Sequence, residues 1–244
     1  MSRTNKVLFV TGASSEIGTA LVDSISDNYD SVIAHYRFNM GRIQPLIEKY
    51  GEKILPLKAD LQSEADLDSI ITELDRHGLY PDHFVHLAAE KVFNLQFHKC
   101  NWEMYRQNLD TGFKSAVILL EHMIPHMVKN KYGKIIFVLT SHTLGSTDAK
   151  YQSPYITSKY ALLGLMHNLS GEYAEKGITV NGVSPDMVET GFLSNISSKI
   201  VEFNAQNSPI KRNVTVSEVA GGITYLMSDS ADCISGQNLG IICR

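Results

Sequence analysis

Short apolar runs alternate along the chain with longer stretches of helical periodicity. Val7-Leu8-Phe9-Val10 is an uninterrupted apolar run ending at Thr11-Gly12, the pattern of a strand buried on both faces. Comparable runs follow at residues 31–36, 54–59, 83–87, 134–139 and 178–183. A last one, at 234–242, is broken by Gly236 and Gly240. Between the runs, apolar spacings of three and four predict helices: one through Leu21, Val22 and Ile25, others near 43–50 and over 64–77, 102–130, 154–175 and 217–227. Pro125 is expected to kink the long fourth helix, and Ser217 to cap the last one. Residues 187–206 are mixed and partly amphipathic, with Phe192, Leu193, Ile196, Ile200 and Phe203. They read either as packed helices or as a mobile lid over an apolar substrate, extending to about residue 212. With no repeat, low-complexity segment or Gly/Ser linker, the alternation predicts one doubly wound α/β domain over residues 1–244, with helices on both faces of a mostly parallel sheet.

In such a sheet, ligands gather at the carboxyl ends of the strands. The first strand runs into Gly12-Ala13-Ser14-Ser15-Glu16-Ile17-Gly18 and then a helix. Glycine lets the backbone approach a pyrophosphate, and the helix N-terminus offers free N–H groups and a positive dipole. A tight turn with no ligand would look the same. The second strand carries no Asp or Glu at its end, where an acid would accept from a ribose 2′-hydroxyl; Tyr36 is followed by Arg37. An arginine there can pair with a 2′-phosphate, which favours NADP(H) over NAD(H). Asp60-Leu61 ends the third strand, where Asp60 could cap the next helix or face an adenine ring. Ala88-Ala89 after the fourth strand would let a ligand lie close, and Thr140-Ser141-His142 puts hydroxyls at the end of the fifth.

Ser153-Pro154 opens the next helix, Ser153 as a possible cap and Pro154 in its first turn. Tyr155 and Lys159 then share a helical face, where the ammonium and the helix dipole both favour phenolate. Tyr155 is thus a candidate general acid–base group, although an amphipathic helix shows the same spacing. His122 and His126 are also four apart, but no further ligand is spaced for a metal, and solvated side chains are expected. The net charge of -4 argues against general nucleic-acid binding. Cys100, Cys233 and Cys243 lack metal-ligand spacing, and an odd, sparse count suits a reducing compartment. The apolar run near the N-terminus is too short for a signal peptide or membrane span, so a cytoplasmic protein is expected.

Laid out in order, these segments resemble the short-chain dehydrogenase/reductase family over nearly the full length. Thr11 to Gly18 looks like its glycine-rich loop, Asp60-Leu61 like its adenine-contacting pair, and Leu87-Ala88-Ala89 like the segment after its fourth strand. Asn108 falls at the helix asparagine that holds a water near the catalytic lysine, and Tyr155 and Lys159 fall on the catalytic pair. Val180-Asn181, Pro185, Val188 and Thr190 look like the segment that cradles the nicotinamide. The resemblance implies a seven-stranded Rossmann fold and a ketoreductase that uses NADP(H). Hydride would pass to a carbonyl carbon while Tyr155 protonates the oxygen. Lys159 would bind the nicotinamide ribose and lower the Tyr155 pKa, a hydroxyl from Thr140 or Ser141 would steady the carbonyl oxygen, and Asn108 would join the proton path.

Among family members the chain looks most like the 3-oxoacyl-[acyl-carrier-protein] reductases of fatty acid or polyketide biosynthesis, which implies a carrier-linked substrate and a homotetramer or homodimer. Lys131 and Lys176 fall at two positions where those reductases dock the carrier protein. Alternatives are a free ketone or sugar as substrate, or a catalytically weak NADP-binding partner subunit; a sugar-nucleotide epimerase or dehydratase would need a longer chain. The departures from the family pattern motivate the weak-subunit reading. Glu16 stands where glycine is usual, Asp186 follows Pro185 in place of glycine, and His86, Leu87 and Ala89 replace the usual Asn-Asn and Gly around Ala88. Ile242-Cys243-Arg244 replaces an Asp-Gly-Gly ending, which would alter a tetramer contact.

Overall fold

Seven parallel strands form one sheet in the order β3-β2-β1-β4-β5-β6-β7 in a computed structural model that describes residues 6–145 and 150–242. The strands are β1 (Val7–Thr11), β2 (Ser31–Tyr36), β3 (Ile54–Lys58), β4 (His83–His86), β5 (Gly133–Val138), β6 (Ile178–Pro185) and β7 (Asn238–Ile241). Every pairing is parallel, so the expected mostly parallel sheet is wholly so. The Cys243-Arg244 end lies outside the described residues, and with it the C-terminal departure.

The continuous apolar runs have a direct cause. Alternate side chains of one strand enter two separate cores, one on each face. Val7 and Phe9 pack with Phe84, Ile135 and Phe137 under α3 (Glu64–Arg76), α5 (Ser115–Asn130) and α6 (Ser153–Tyr173). Leu8 and Val10 pack with Val32, Val85 and Ile136 under α1 (Glu16–Ile25), α2 (Gln44–Tyr50) and α8 (Val216–Met227). Two further helices are α4 (Trp102–Leu109) and α7 (Ser198–Asn207). The strand order reverses at β1, between β2 and β4, which creates the crevice where an open α/β sheet binds its ligand.

Three local expectations are corrected. The 102–130 helix is interrupted by a π-helical turn, Asp110–Lys114, while Pro125 lies inside α5. π-turns inside helices re-aim backbone groups, and this one presents the Gly112 carbonyl to the His86 ring at 2.7 Å. The cap of α8 is Thr215, not Ser217: its side chain accepts from Glu218 N–H while Glu218 reaches back to Thr215 N–H, a capping box. At α6 the cap position is Gln152, and Ser153 is the first helical residue, its Oγ accepting from the Tyr105 hydroxyl at 2.8 Å. His122 and His126 are half-buried: the first approaches the Asp75 carboxylate at 3.2 Å, and the second stacks on Tyr80. Among the described residues no helix is long and apolar enough to cross a membrane.

Candidate active site

The carboxyl ends of β4, β5 and β6, with the first turn of α1, line one cavity of about 430 Å³. Tyr155 enters it from the first turn of α6, and Lys159 follows one turn later, only 2% exposed. The Lys159 ammonium donates to the Val138 carbonyl at 2.6 Å and lies 5.6 Å from the centre of the Tyr155 ring. Thr140, the second residue beyond the end of β5, hydrogen-bonds the Tyr155 phenol. Phe192, from the segment after β6, packs against the same ring at 5.8 Å.

Burial governs the protonation of this pair. It pushes the Tyr155 phenol well above its ordinary value, and the Thr140 hydrogen bond opposes it with a smaller effect. It pulls the Lys159 ammonium down to about 8. The expectation of an acidified phenol is therefore reversed in the free protein. Both groups have shed water, which disfavours phenolate and ammonium alike, and Lys159 is turned onto a backbone carbonyl.

Thr140 and Ser141 both line the cavity, but they point to different partners. The Ser141 hydroxyl donates to Asp186 Oδ1 at 3.2 Å, so Asp186, noted from sequence only as a departure, is a wall of the cavity. Asn108 is buried at the end of α4. Its amide donates back to Met104 O at 2.8 Å, and its main-chain carbonyl accepts from Ser158 Oγ at 3.0 Å, which ties the end of α4 to the helix of the pair. Asn108 contributes no wall to the cavity, so any part in a proton path runs through an intermediary.

The loop after β1 is built to hold its backbone open. Gly12 has φ of 68°, and a Cβ there would lie 3.1 Å from Ala88 N. A Cβ on Gly18 would fall 2.6 Å from Gly12 O, so α1 can start this close only with glycine. Ser15 caps α1, its Oγ accepting from Gly18 N–H at 3.0 Å. Ser15, Glu16, Ile17 and Ala89 line the cavity, whereas Gly12, Ser14, Gly18 and Ala88 do not. Two buried histidines brace the loop. His35 Nδ1 accepts from Gly12 N–H at 3.1 Å, and its other ring nitrogen donates to Ala59 O. His86 Nδ1 accepts from the Thr11 hydroxyl at 2.9 Å, and Thr11 Oγ1 in turn accepts from Leu87 and Ala88 N–H. Burial holds both imidazoles neutral, His35 down to about 4 and His86, aided by the Lys159 charge, down to about 3. A loop that only glycine lets pack this closely, leading straight into a helix N-terminus at the cavity, fits the pyrophosphate of a dinucleotide.

Arg37 is not free at the end of β2. It forks between Asp60 Oδ2 at 2.8 Å and Glu90 Oε1 at 2.9 Å, and Glu90 also accepts from Gln62 and Thr111. Asp60 does not cap α3, where Ser63 does; its Oδ1 accepts from Gln62 N–H. The Leu61 side chain is buried in the core. Pro185, Val188 and Thr190 line the cavity, but the Asn181 side chain bonds Ile234 O and Gln237 N–H in the turn before β7. Lys131 and Lys176 do not flank the site. They sit at the amino ends of β5 and β6, separated from Tyr155 by the 21-residue length of α6, roughly 30 Å. Glu90 and Arg42 were missed from sequence, although Arg42 lies in the same connection as Arg37 and Glu90 directly follows Ala88-Ala89.

Comparison with known proteins agrees with this geometry. A family profile described as enoyl-(acyl carrier protein) reductase matches residues 12–241. The uncharacterized oxidoreductase YmfI of Bacillus subtilis is 28% identical over 242 residues, 97% of each chain. A 3-oxoacyl-[acyl-carrier-protein] reductase of Buchnera aphidicola is 29% identical over 249 residues, 99% of this chain and 97% of its own. Among solved structures, the 3-oxoacyl-[acyl-carrier protein] reductase of Brucella melitensis superposes with a TM-score of 0.86 at 20% identity, covering 98% of this chain and 91% of the other. A tyrosine-to-phenylalanine variant of ElxO with NADPH bound superposes with a TM-score of 0.86 at 23% identity, covering 98% and 97%. With its parallel seven-stranded sheet, glycine-rich loop and Tyr155–Lys159 pair beside a cavity, the chain belongs to the short-chain dehydrogenase/reductase family of oxidoreductases.

Proposed function

We propose that the protein is an NADPH-dependent carbonyl reductase whose substrate is a 3-oxoacyl thioester on a carrier protein. The observation that carries the reading is the convergence of Tyr155, Thr140 and Lys159 on one cavity that the apolar side chains of Phe192, Leu193, Ile196 and Ile200 also line. When bound, the reduced nicotinamide supplies a hydride to the carbonyl carbon. Tyr155 donates its phenolic proton to the carbonyl oxygen, a role served by a phenol that burial keeps protonated. Thr140, which gives its proton to that phenol in the free protein, turns it to the carbonyl oxygen as a second hydrogen bond. Lys159 supplies positive charge beneath the ring as phenolate develops, and Asn108 with Ser158 fixes the helix that carries both. Ser15, Ile17, Pro185, Val188 and Thr190 would hold the dinucleotide along the cleft, while residues 187–212 act as a lid over an acyl chain.

The apolar lid and the carrier-protein reductases among the relatives support the acyl substrate. A second reading, a free hydroxyketone or sugar, is favoured by one observation: the Asp186 carboxylate on the wall suits a substrate hydroxyl. The test is NADPH oxidation by the wild type and by Tyr155→Phe, with a 3-oxoacyl thioester beside a panel of free ketones and sugars. The proposal expects turnover of the thioester, reduced at least about 1,000-fold in the variant. Tight NADPH binding with no turnover of any carbonyl would instead mark a cofactor-binding partner subunit.

A further inference from the structure

Arg37, the residue expected to read a 2′-phosphate, already satisfies two carboxylates, and those tie the ends of β2, β3 and β4 together. Withdrawing it would leave Asp60 and Glu90 facing each other. Arg42, five residues later, is bound differently. Among the described residues its ion pair is with Glu16 Oε1, at 2.8 Å, and its side chain is 42% exposed. The same Glu16 oxygen accepts the backbone N–H of Gly191 at 3.1 Å, from the segment that follows β6. Glu16 is the first residue of α1 and lines the cavity. A guanidinium, a backbone N–H and a helix N-terminus therefore converge on one carboxylate oxygen. That is the donor set that binds phosphate, filled by an anion of the chain itself. The Arg42 hydrogen bond is also the main cause that holds the Glu16 carboxyl below its usual range.

We propose that Arg42 is the arginine that binds a phosphate of the cofactor, and that Glu16 is its internal competitor. Glu16 holds Arg42 and the Gly191 loop together in the free protein and yields both donors to the incoming phosphate. This explains how a family glycine position tolerates a carboxylate beside a phosphate cradle: the acid is neutralised by Arg42 until the ligand arrives. The proposal rests on the reading of the cleft as a nicotinamide dinucleotide site.

Calorimetric titration of the ligand-free protein with NADPH and with NADH tests it, using wild type, Arg42→Ala, Glu16→Gln and Arg37→Ala. Arg42→Ala is expected to weaken binding about tenfold or more, the loss of one charge-assisted contact. A loss confined to NADPH identifies the 2′-phosphate as the group bound; an equal loss for NADH identifies the pyrophosphate. Glu16→Gln is expected to tighten binding about two- to fivefold, since displacing an exposed ion pair no longer opposes it. A gain in affinity cannot arise from misfolding, so this arm holds even if Arg42→Ala is unstable. Unchanged affinity in Arg42→Ala, weaker binding in Glu16→Gln, or loss of NADPH binding in Arg37→Ala alone overturns the proposal while leaving the dinucleotide site standing. A wild type that binds neither nucleotide overturns both.

Discussion

The Ser141 hydroxyl donates to the Asp186 carboxylate across 3.2 Å. A serine has one proton to give, so Ser141 meets a ligand in the cavity only as an acceptor. Thr140 gives its proton only to the neutral Tyr155 phenol and not to a carboxylate, so it is the hydroxyl more readily turned onto a carbonyl oxygen. Thr140→Val is therefore predicted to lower kcat by about 100-fold or more with little change in KM, the usual cost of one oxyanion donor. Ser141→Ala should cost less than about tenfold. Steady-state kinetics of the two variants decide the matter, and the reverse order would mean that Ser141 abandons Asp186 when substrate binds.

Lys159 gives the pH dependence of the reaction. Burial lowers it to about 8, while burial raises the Tyr155 phenol, so the ammonium is the first of the pair to lose its proton. For the reduction, kcat/KM is predicted to be level near neutrality and to fall above about pH 8, by roughly tenfold per unit. A profile that stays level to about pH 10 would show Lys159 fully charged and well solvated, contrary to its position here.

The acid side of the stability curve belongs to the two histidines that brace the nucleotide loop. His35 and His86 are depressed to about 4 and about 3 in the folded protein. A base with a depressed folded pKa takes up its proton first in the unfolded chain. Stability is then complete above the unfolded value near 6.5 and is lost as pH falls toward the folded value. The window is about pH 6.5 down to 4 for His35, worth on the order of 3 kcal/mol, and down to 3 for His86, worth on the order of 5 kcal/mol. Urea midpoints across that range should fall steeply for the wild type. His86→Asn should start less stable at pH 7, having lost the Thr11 and Gly112 contacts, yet decline less. Parallel curves for the two proteins would remove His86 from the explanation.

How far the sequence could be read depended on the range of the interaction. The strands were legible because two-faced burial leaves an unbroken apolar run, as in Val7 to Val10. The Thr215-x-x-Glu218 capping box was equally legible as a local pattern, and choosing Ser217 overlooked it. Tyr155 and Lys159 could be paired because one helix turn separates them. Their protonation could not be inferred, since it follows from burial that only the assembled sheet creates. The partners of Arg37 and Glu16 were out of reach for the same reason. Glu90 is 53 residues from Arg37, and Gly191 is 175 residues from Glu16, brought near by strand order alone. The break in the long helix was assigned to Pro125, yet Gly112 was the better signal, because a helical glycine often marks a close approach.

That close approach can be tested at atomic detail. A Cβ on Gly112 would lie 2.6 Å from Ser158 Oγ but 3.9 Å from Ser158 Cβ, so the clash is with the hydroxyl alone. Gly112→Ala must therefore turn the Ser158 hydroxyl away from Asn108 O, breaking a buried hydrogen bond and crowding the helix that carries Lys159. The expected cost is about 2–3 kcal/mol, an overpacked contact together with a lost hydrogen bond. Adding Ser158→Ala removes the clashing atom, and the double variant should recover to within about 1 kcal/mol of the wild type, the value of the hydrogen bond itself. Ser158→Ala alone should show that same smaller loss. Equilibrium unfolding of the three variants measures the coupling. Simple additivity would mean that Gly112 is required for the backbone of the π-turn and not for the space beside Ser158.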